Sequence, residues 1–265
     1  MAQKKTETLK SRRENPLYTP AFTNHGNGKL LDYDNPETGE RFRYAQINVR
    51  AIEDCPFRSK GCEAVCYACK GNHCFPSVKD SRQKSYMETR RDDYPEAMVY
   101  TIRTEKMSAR YKNATMLVRV HESGDFYSVQ YLRKNLKIWQ AFSTVDRVEF
   151  KFYTKSFPFF LMLTEEEKET LRELIRTGIV VINLSVDDTT SREQWKAYHK
   201  MREEFPLCNT YYCTEHVDNV EHDNVCDCAD CAKCGTCNKG TGKTTVVKIH
   251  SASRSDMEVY RANIK

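Results

Sequence analysis

In the middle of the chain, segments with the apolar pattern of buried strands take turns with segments that have the pattern of amphipathic helices. The stretch from Thr115 to His121, TMLVRVH, is almost continuously apolar, as in a strand that is covered on both faces. The predicted strands are 44–52, 115–121, 148–154, 179–185 and 209–213, and helices are predicted over 129–142, 165–176 and 192–204.

Two further helices are predicted between the first and second strands from residues that typically start helices. Ser77 opens a helical stretch with Asp80 in the capping-box position, and Pro95 begins a second helix that runs to about Tyr111. The chain therefore repeats strand–helix units. This order predicts an α/β protein with a parallel sheet, either open or curled into a partial βα barrel.

Polar and reactive side chains follow the predicted strands at their carboxyl ends, where the sites of such folds gather. The first strand leads into a cysteine-rich loop, and the second ends at His121-Glu-Ser-Gly-Asp125. The third ends at Tyr153-Thr-Lys155 and the fourth at Asn183-Leu-Ser-Val-Asp187. We expect these groups to meet at one edge of the sheet.

The loop after the first strand contains Cys62-Glu-Ala-Val-Cys66-Tyr-Ala-Cys69, with gaps of three and two residues between the cysteines. Thiolates are soft ligands suited to iron–sulfur clusters, and three of them leave one iron of a 4Fe-4S cluster open. Cys55 and Cys74 flank the trio, so Cys55 with Cys62 and Cys66, or a closed four-thiolate cluster, are alternatives. An open iron predicts a catalytic cluster.

A second group of cysteines lies near the C-terminus, with gaps too dense for loops that are held by packing alone. This pattern predicts a small Cys-rich metal-binding module that holds a second iron–sulfur cluster or a zinc ion, with Cys213 as a reserve ligand. The predicted ligands of the module are Cys226, Cys228, Cys231, Cys234, Cys237 and His250.

The bunching of the cysteines favours metal sites over disulfides, because ten of the 12 cysteines of this 265-residue chain lie at 55–74 and 226–237. The sequence shows no apolar leader and no run long enough to span a membrane, so we expect a cytoplasmic protein without membrane partners. The net charge of +5 is compatible with a nucleic acid or another anionic ligand. The predicted divisions are a flexible basic arm at 1–28, the partial barrel at 29–212 and the module at 213–265.

The cysteine trio resembles the signature of radical S-adenosylmethionine enzymes, although Ala68 stands where those enzymes usually carry an aromatic residue. The resemblance implies that the open iron binds S-adenosylmethionine and that an electron donor of the flavodoxin or ferredoxin type supplies the electron that cleaves it. Ser123-Gly124-Asp125 and Leu184-Ser185-Val-Asp187 resemble strand ends of that superfamily. By this resemblance Ser123, Gly124, Asp125 and Ser185 would contact the cofactor, and His121, Tyr153, Lys155 and Asp187 would serve the substrate.

Cys55-Pro56, Cys62, Cys66-Tyr-Ala68, Arg119-Val-His-Glu-Ser-Gly-Asp-Phe-Tyr127 and Tyr153-Thr-Lys155 together resemble a family of small phage proteins called gene product eighty-eight. The resemblance extends from about Lys29 to His250 and implies a bacteriophage source, hence the cytoplasm of the host cell. It names no substrate, so a nucleotide, a nucleic acid or a protein are the expected classes.

Two other functions are consistent with parts of the sequence. Cys226-x-Cys228-x-x-Cys231 followed by His250 resembles the zinc site of tRNA-guanine transglycosylases, in which an aspartate, here Asp125 or Asp187, attacks the glycosidic carbon. That function leaves the Cys62 trio unexplained. A non-catalytic, metal-stapled nucleic-acid-binding protein would explain both cysteine groups but not the polar strand ends.

Overall fold

The strands of the protein form one central, mostly parallel sheet. A computed structural model describes residues 8–23, 32–226, 236–249 and 252–264 of the chain. The strands of these residues are β1 (Phe22–Thr23), β2 (Tyr33–Asp34), β3 (Arg41–Ile47), β4 (Thr115–Val120), β5 (Val148–Thr154), β6 (Val180–Asp187), β7 (Asn209–Thr214), β8 (Asn224–Cys226) and β9 (Thr244–Lys248).

The sheet has the strand order β1-β3-β4-β5-β6-β7-β9-β8, and β2 also pairs with β3. The two short strands β1 and β2 run antiparallel to β3, whereas every other pair is parallel. From β3 to β7 each strand lies beside its predecessor, so the sheet is wound in a single direction. Within the described ranges its edge strands do not pair, and the sheet stays open. The predicted α/β class and parallel sheet are confirmed.

The described residues form several helices, most of which connect parallel strands. They are α1 (Leu9–Arg13), α2 (Lys60–Ala64), α3 (Pro76–Arg90), α4 (Tyr94–Lys106), α5 (Val129–Gln140), α6 (Phe157–Leu161), α7 (Glu165–Arg176), α8 (Arg192–Glu204) and α9 (Arg254–Arg261). Crossovers between parallel strands of one sheet are right-handed in nearly all proteins, so a sheet wound in one direction is expected to collect its helices on one face. The apolar core accordingly lies between that face and the helices.

Several predicted boundaries are confirmed and others shift for local reasons. The strand 148–154 and the helices 165–176 and 192–204 match the structure. The capping box predicted for Ser77 and Asp80 is wrong, because α3 begins with Pro76, which has no N–H to cap. The first strand was predicted to reach Ile52 but ends at Ile47, and Ile52 adopts a left-handed conformation with φ of 66°.

Part of the predicted N-terminal arm is packed against the folded chain. Arg13 forms an ion pair of 2.6 Å with the buried carboxylate of Glu105 on α4. Phe22 pairs with Ile47 of β3 and is 5% exposed. Residues 8–23 thus contribute to the core. Over the described ranges, no helix is long and apolar enough to cross a bilayer.

The two faces of the sheet differ in polarity because side chains alternate along each strand. On the face beneath the helices, Val118, Phe150 and Ile182 belong to the buried apolar core. The opposite face, which we call the polar face, carries the alternate residues of the same strands. From β3 to β7 they are Phe42, Tyr44, Gln46, Thr115, Leu117, Arg119, Glu149, Lys151, Tyr153, Val181, Asn183, Ser185, Asp187, Asn209, Tyr211 and Cys213.

Candidate functional site

The carboxyl ends of five consecutive strands bring the predicted site residues into one region. The cysteine loop follows β3, Asp125 follows β4, Lys155 follows β5, and Asp187 ends β6. Cys213 of β7 is the register partner of Asp187 on the polar face. The expected meeting of the strand ends is therefore present in the structure.

Asp125 joins the ends of β4 and β5. One carboxylate oxygen accepts hydrogen bonds from Thr154 Oγ1 at 2.7 Å and the Phe126 N–H at 2.7 Å, and the other accepts from the Lys155 N–H at 2.8 Å. Burial raises the pKa of Asp125 to about 6, although these donors oppose the rise. Its carboxylate already serves the protein's own backbone and retains limited capacity for a ligand.

Gly124 lets the turn before Asp125 approach the neighbouring loop. Its φ is +83°, and a Cβ there would lie 2.3 Å from Val49 Cγ2. Ser123 closes the same contact, because its hydroxyl donates to the Val49 carbonyl at 3.0 Å. The turn is thus fastened to the loop that leads into the cysteines.

Lys155 and Asp187 form a buried ion pair between β5 and β6. The Nζ–Oδ2 distance is 2.7 Å, and the two side chains are 9% and 3% exposed. Burial disfavours ionisation of Asp187, but Lys155 and the hydroxyls of Ser59 and Thr189 hold its pKa below the usual range. The same carboxylate raises the pKa of Lys155 against the effect of burial. Both groups are charged at neutral pH.

Ser59 connects this ion pair to the cysteine loop. Its hydroxyl donates to Asp187 Oδ2 and accepts from the Cys62 N–H at 3.0 Å, capping α2. A pocket of about 290 Å³ opens next to the ion pair. Its lining includes Phe57, Ser59, Lys155, Ser185, Thr189 and Gln194.

The thiols of Cys55, Cys62 and Cys66 lie close enough to influence each other's ionisation. Burial raises the pKa of each thiol, and the charge of Cys62 adds to the rise at both Cys55 and Cys66. Cys69 is exposed, although its charge also acts on Cys66. Throughout the described segments, no three His, Cys, Asp or Glu side chains converge as ligands of a single metal ion.

The C-terminal cysteines that the structure describes lie against the polar face. The Cys237 carbonyl accepts from Asn183 Nδ2 at 3.3 Å. Cys226 of β8 lies in the same register row as Cys213, with Val247 of β9 between them. Cys228, Cys231, Cys234 and His250, which were predicted as ligands of the Cys-rich module, lie outside the described residues.

Tyr211 lies among the three described cysteines at this end of the polar face. Burial raises its pKa, and the charges of Cys213, Cys226 and Cys237 raise it further. Its ring packs edge-on against Tyr153, with 4.6 Å between the centroids. The predicted catalytic residue Tyr153 therefore faces the same surface as these cysteines.

His121 lies in the aromatic core beneath the helices rather than on the polar face. Its Nε2 is 3.0 Å from the Tyr131 hydroxyl, and its ring packs edge-on against Phe126 at 4.6 Å. The cause is local, because His121 adopts a left-handed conformation with φ of 62° that turns its side chain away from the strand's alternation. This position does not bring the predicted catalytic imidazole to the polar groups.

We expect His121 to make stability fall as the pH is lowered. Burial lowers its pKa to about 3, with Arg119 adding to the effect, so the folded protein keeps the ring neutral. The unfolded chain protonates at about pH 6.5, so the free energy of unfolding falls below that pH by about 2 kcal/mol at pH 5. Chemical denaturation at pH 7 and pH 5 measures this loss.

His121→Asn provides the comparison, because asparagine tolerates the left-handed backbone and does not titrate. The variant should lose less stability than the wild type between pH 7 and pH 5. An equal loss in both proteins would exclude His121 as the source.

Arg119, Lys151 and Tyr211 are polar-face residues to which the sequence analysis assigned no role. Arg119 and Lys151 are register partners on neighbouring strands. The signal that could have revealed them is the alternation within the strands, where TMLVRV and VEFKFYT place polar residues between apolar ones.

Fold and site together define a class of protein: a singly wound α/β protein with half-buried cysteines and a buried ion pair at the carboxyl ends of its strands. A family model described as gene product 88 matches residues 20–240, most of the chain. The chain therefore belongs to the gene product 88 family, a phage family. Searches of curated proteins and of solved structures found no match.

Proposed function

We propose that this protein is an iron–sulfur enzyme of the radical S-adenosylmethionine type that modifies a nucleotide, a nucleic acid or a protein. The observation that carries the proposal is the position of the Cys55, Cys62 and Cys66 thiols. They are half-buried in the loop that leaves the first parallel strand, and the charge of Cys62 acts on both Cys55 and Cys66. We interpret the singly wound sheet, with its polar face, as a partial βα barrel around this site.

The chemistry of the loop suits a 4Fe-4S cluster. Its thiols are soft donors, and none of the described cysteines is engaged in a disulfide. The positive charges of Lys155 and Arg58 lower the pKa of Cys62 against the effect of burial. They would stabilise thiolate ligands and offset the negative charge of a cluster. Cys62 and Cys66 would be ligands, with Cys69 or Cys55 as the third.

The turn after β4 would hold the amino-acid end of S-adenosylmethionine. Gly124 allows close approach of the backbone, and Asp125 offers its remaining acceptor capacity to an ammonium group. Ser123 would orient this turn through its bond to Val49. Ser185, half-buried at the end of β6, would offer a hydroxyl from the neighbouring strand.

Substrate would lie against the polar groups at the same strand ends. Lys155 and Asp187 would bind polar groups of the substrate, and Tyr153 would donate a hydrogen atom or a proton. A bound cluster would supply single electrons to S-adenosylmethionine, which requires a reductant of the flavodoxin or ferredoxin type. The C-terminal cysteines would hold a second cluster or zinc beside the polar face.

The metal content tests the proposal directly. Protein purified anaerobically and reconstituted with iron and sulfide should be brown, with charge-transfer absorption in the visible and at least one iron–sulfur cluster per chain. Iron and sulfide assays together with the absorption spectrum measure this. A colourless protein that holds only zinc would contradict the proposal and favour the base-exchange enzyme.

Cys208→Ala is the matched control for thiol loss. Cys208 is fully buried within the apolar core and lies outside the cysteine loop. Its removal should leave the iron content and the spectrum unchanged. Loss of the cluster in this variant would mean that the iron depends on overall stability rather than on the loop.

A further inference from the structure

Arg119 is a cation on the polar face that forms no ion pair within the described residues. It lies on β4 between Gln46 of β3 and Lys151 of β5 in the register of the sheet. Its guanidinium stacks on the Tyr153 ring at 3.8 Å from the centroid. Burial is the largest single influence on the pKa of Arg119 and acts to lower it, although Tyr153, Tyr67 and Tyr211 raise that pKa on balance. Burial of a cation is unfavourable unless a partner compensates for it.

Several other cations in the described part of the chain have an acidic partner. Arg43 pairs with Asp34 at 2.5 Å, Arg50 with Asp54 at 2.6 Å, and Lys155 with Asp187 at 2.7 Å. In the described part of the chain no carboxylate lies within ion-pair distance of Arg119. Its Nε is buried and has no hydrogen-bond partner. The protein therefore maintains a desolvated guanidinium without a compensating negative charge.

The groups that most influence the pKa of Arg119 are the phenols of Tyr153, Tyr67 and Tyr211. Glu122 acts on Tyr67, but no ion pair joins it to Arg119 within the described residues. Burial raises the pKa of Tyr153 and of Tyr67, so both phenols stay protonated at neutral pH. The neighbouring cation, Lys151, donates to the Tyr44 hydroxyl at 2.8 Å. Glu149 lies on the same face but opposite Leu117 in the register, one row away from Arg119. The vicinity of Arg119 attracts negative charge.

Arg119 is also accessible to a ligand. Arg119 is half-buried, and Tyr67 keeps 41% of its accessible surface. Both side chains therefore reach the solvent in part. A guanidinium offers a planar fork of donors for two oxygens of one acidic group.

We propose that Arg119 binds an oxyanion of the substrate, a carboxylate or a phosphate, on the polar face of the sheet. One such group would compensate for the unmet charge of the guanidinium, while the Tyr153 ring holds the guanidinium in place. The substrate of the proposed enzyme would therefore carry an acidic group. Only the description of this ligand as a substrate rests on the proposed function. The binding itself requires neither a cluster nor S-adenosylmethionine.

Binding to the full-length protein without added iron or S-adenosylmethionine tests this site. Inorganic phosphate and succinate are titrated separately, at an ionic strength held constant with sodium chloride, by calorimetry and thermal shift. We expect at least one of them to bind the wild type and Arg119→Met to bind it about tenfold or more weakly, since a charge-assisted hydrogen bond is lost. Preference for phosphate or for succinate identifies the acidic group.

Arg103→Met is the matched control, because Arg103 is an exposed arginine beside an aromatic ring, Phe142, at 5.6 Å on the helical side. It removes the same charge and should leave binding unchanged. Without oxyanion, Arg119→Met should melt at a higher temperature than the wild type, because an uncompensated charge has been removed. If Arg119→Met does not fold, Arg119→Lys, which keeps the charge but not the planar fork, should show weakened binding.

Either of two results would overturn the assignment. The first is that neither phosphate nor succinate binds the wild type. The second is that the Arg119 variants bind the oxyanion as tightly as Arg103→Met does. Oxyanion binding is measured without a cluster, so its result does not depend on whether the protein is an iron–sulfur enzyme. Likewise, a failure to bind an oxyanion would not affect the tests of the cluster.

Discussion

Cys66→Ala is expected to abolish reductive cleavage of S-adenosylmethionine to 5'-deoxyadenosine. The central cysteine belongs to every ligand set that the loop allows, and its thiol interacts electrostatically with those of Cys62 and Cys69. A cluster held by three thiolates would lose one of its soft ligands, and water is too hard a ligand to take its place. Chromatographic quantification of 5'-deoxyadenosine, formed by dithionite-reduced and reconstituted protein, measures the effect.

Cys208→Ala should cleave the cofactor at the wild-type rate, because this thiol lies in the apolar core. Circular dichroism of both variants establishes that each is folded before activity is compared. Cleavage that survives Cys66→Ala would place the cluster elsewhere in the chain, with the C-terminal cysteines as the remaining candidates.

Asp187→Ala should lower the free energy of unfolding by about 3–5 kcal/mol. The change leaves the Lys155 ammonium buried without its carboxylate, and an unpaired buried charge is far more unfavourable than the intact pair is favourable. It also removes the acceptor of the Ser59 and Thr189 hydroxyls. Urea denaturation monitored by tyrosine and tryptophan fluorescence measures the loss.

A double variant separates the charge from the shape of the site. Lys155→Met combined with Asp187→Leu removes both charges and should recover most of the lost stability, since apolar replacements of buried pairs are often neutral. Glu173→Ala is the control, because its partner Arg176 is 67% exposed and such pairs contribute about 0.5 kcal/mol. If Asp187→Ala were as mild as this control, water would have to reach Lys155 in the folded protein.

The parallel sheet was predictable because its core strands carry their own signal. β4, β5 and β6 are rich in apolar residues, and the segments between them have helical patterns, so strand order along the chain predicts strand order in space. The start of α7 was predicted at the residue where it lies, directly after Thr164, whose side chain caps the helix. The start of α3 was less predictable, because Pro76 begins that helix without a side-chain cap.

The site was predictable to the level of which strand ends contribute. That rule placed Asp125, Lys155 and Asp187 in one region, and the structure brings them together. The rule could not predict which side chains these residues bond to. The Lys155–Asp187 pair and the Asp125 bonds to Thr154 join residues about thirty positions apart, and no local pattern encodes such a distance.

The sequence by itself determined the fold class, because alternation and period are properties of adjacent residues. It also placed the cysteines and the reactive residues at the carboxyl ends of the strands. Only the tertiary structure decided which of these side chains face one another. The left-handed turn at His121 moved one predicted residue into the core, and strand register set Arg119 beside Lys151 on a face that carries no matching acid at that point. Orientation and charge balance depend on register and on contacts between distant segments, which is why neither can be read from neighbouring residues.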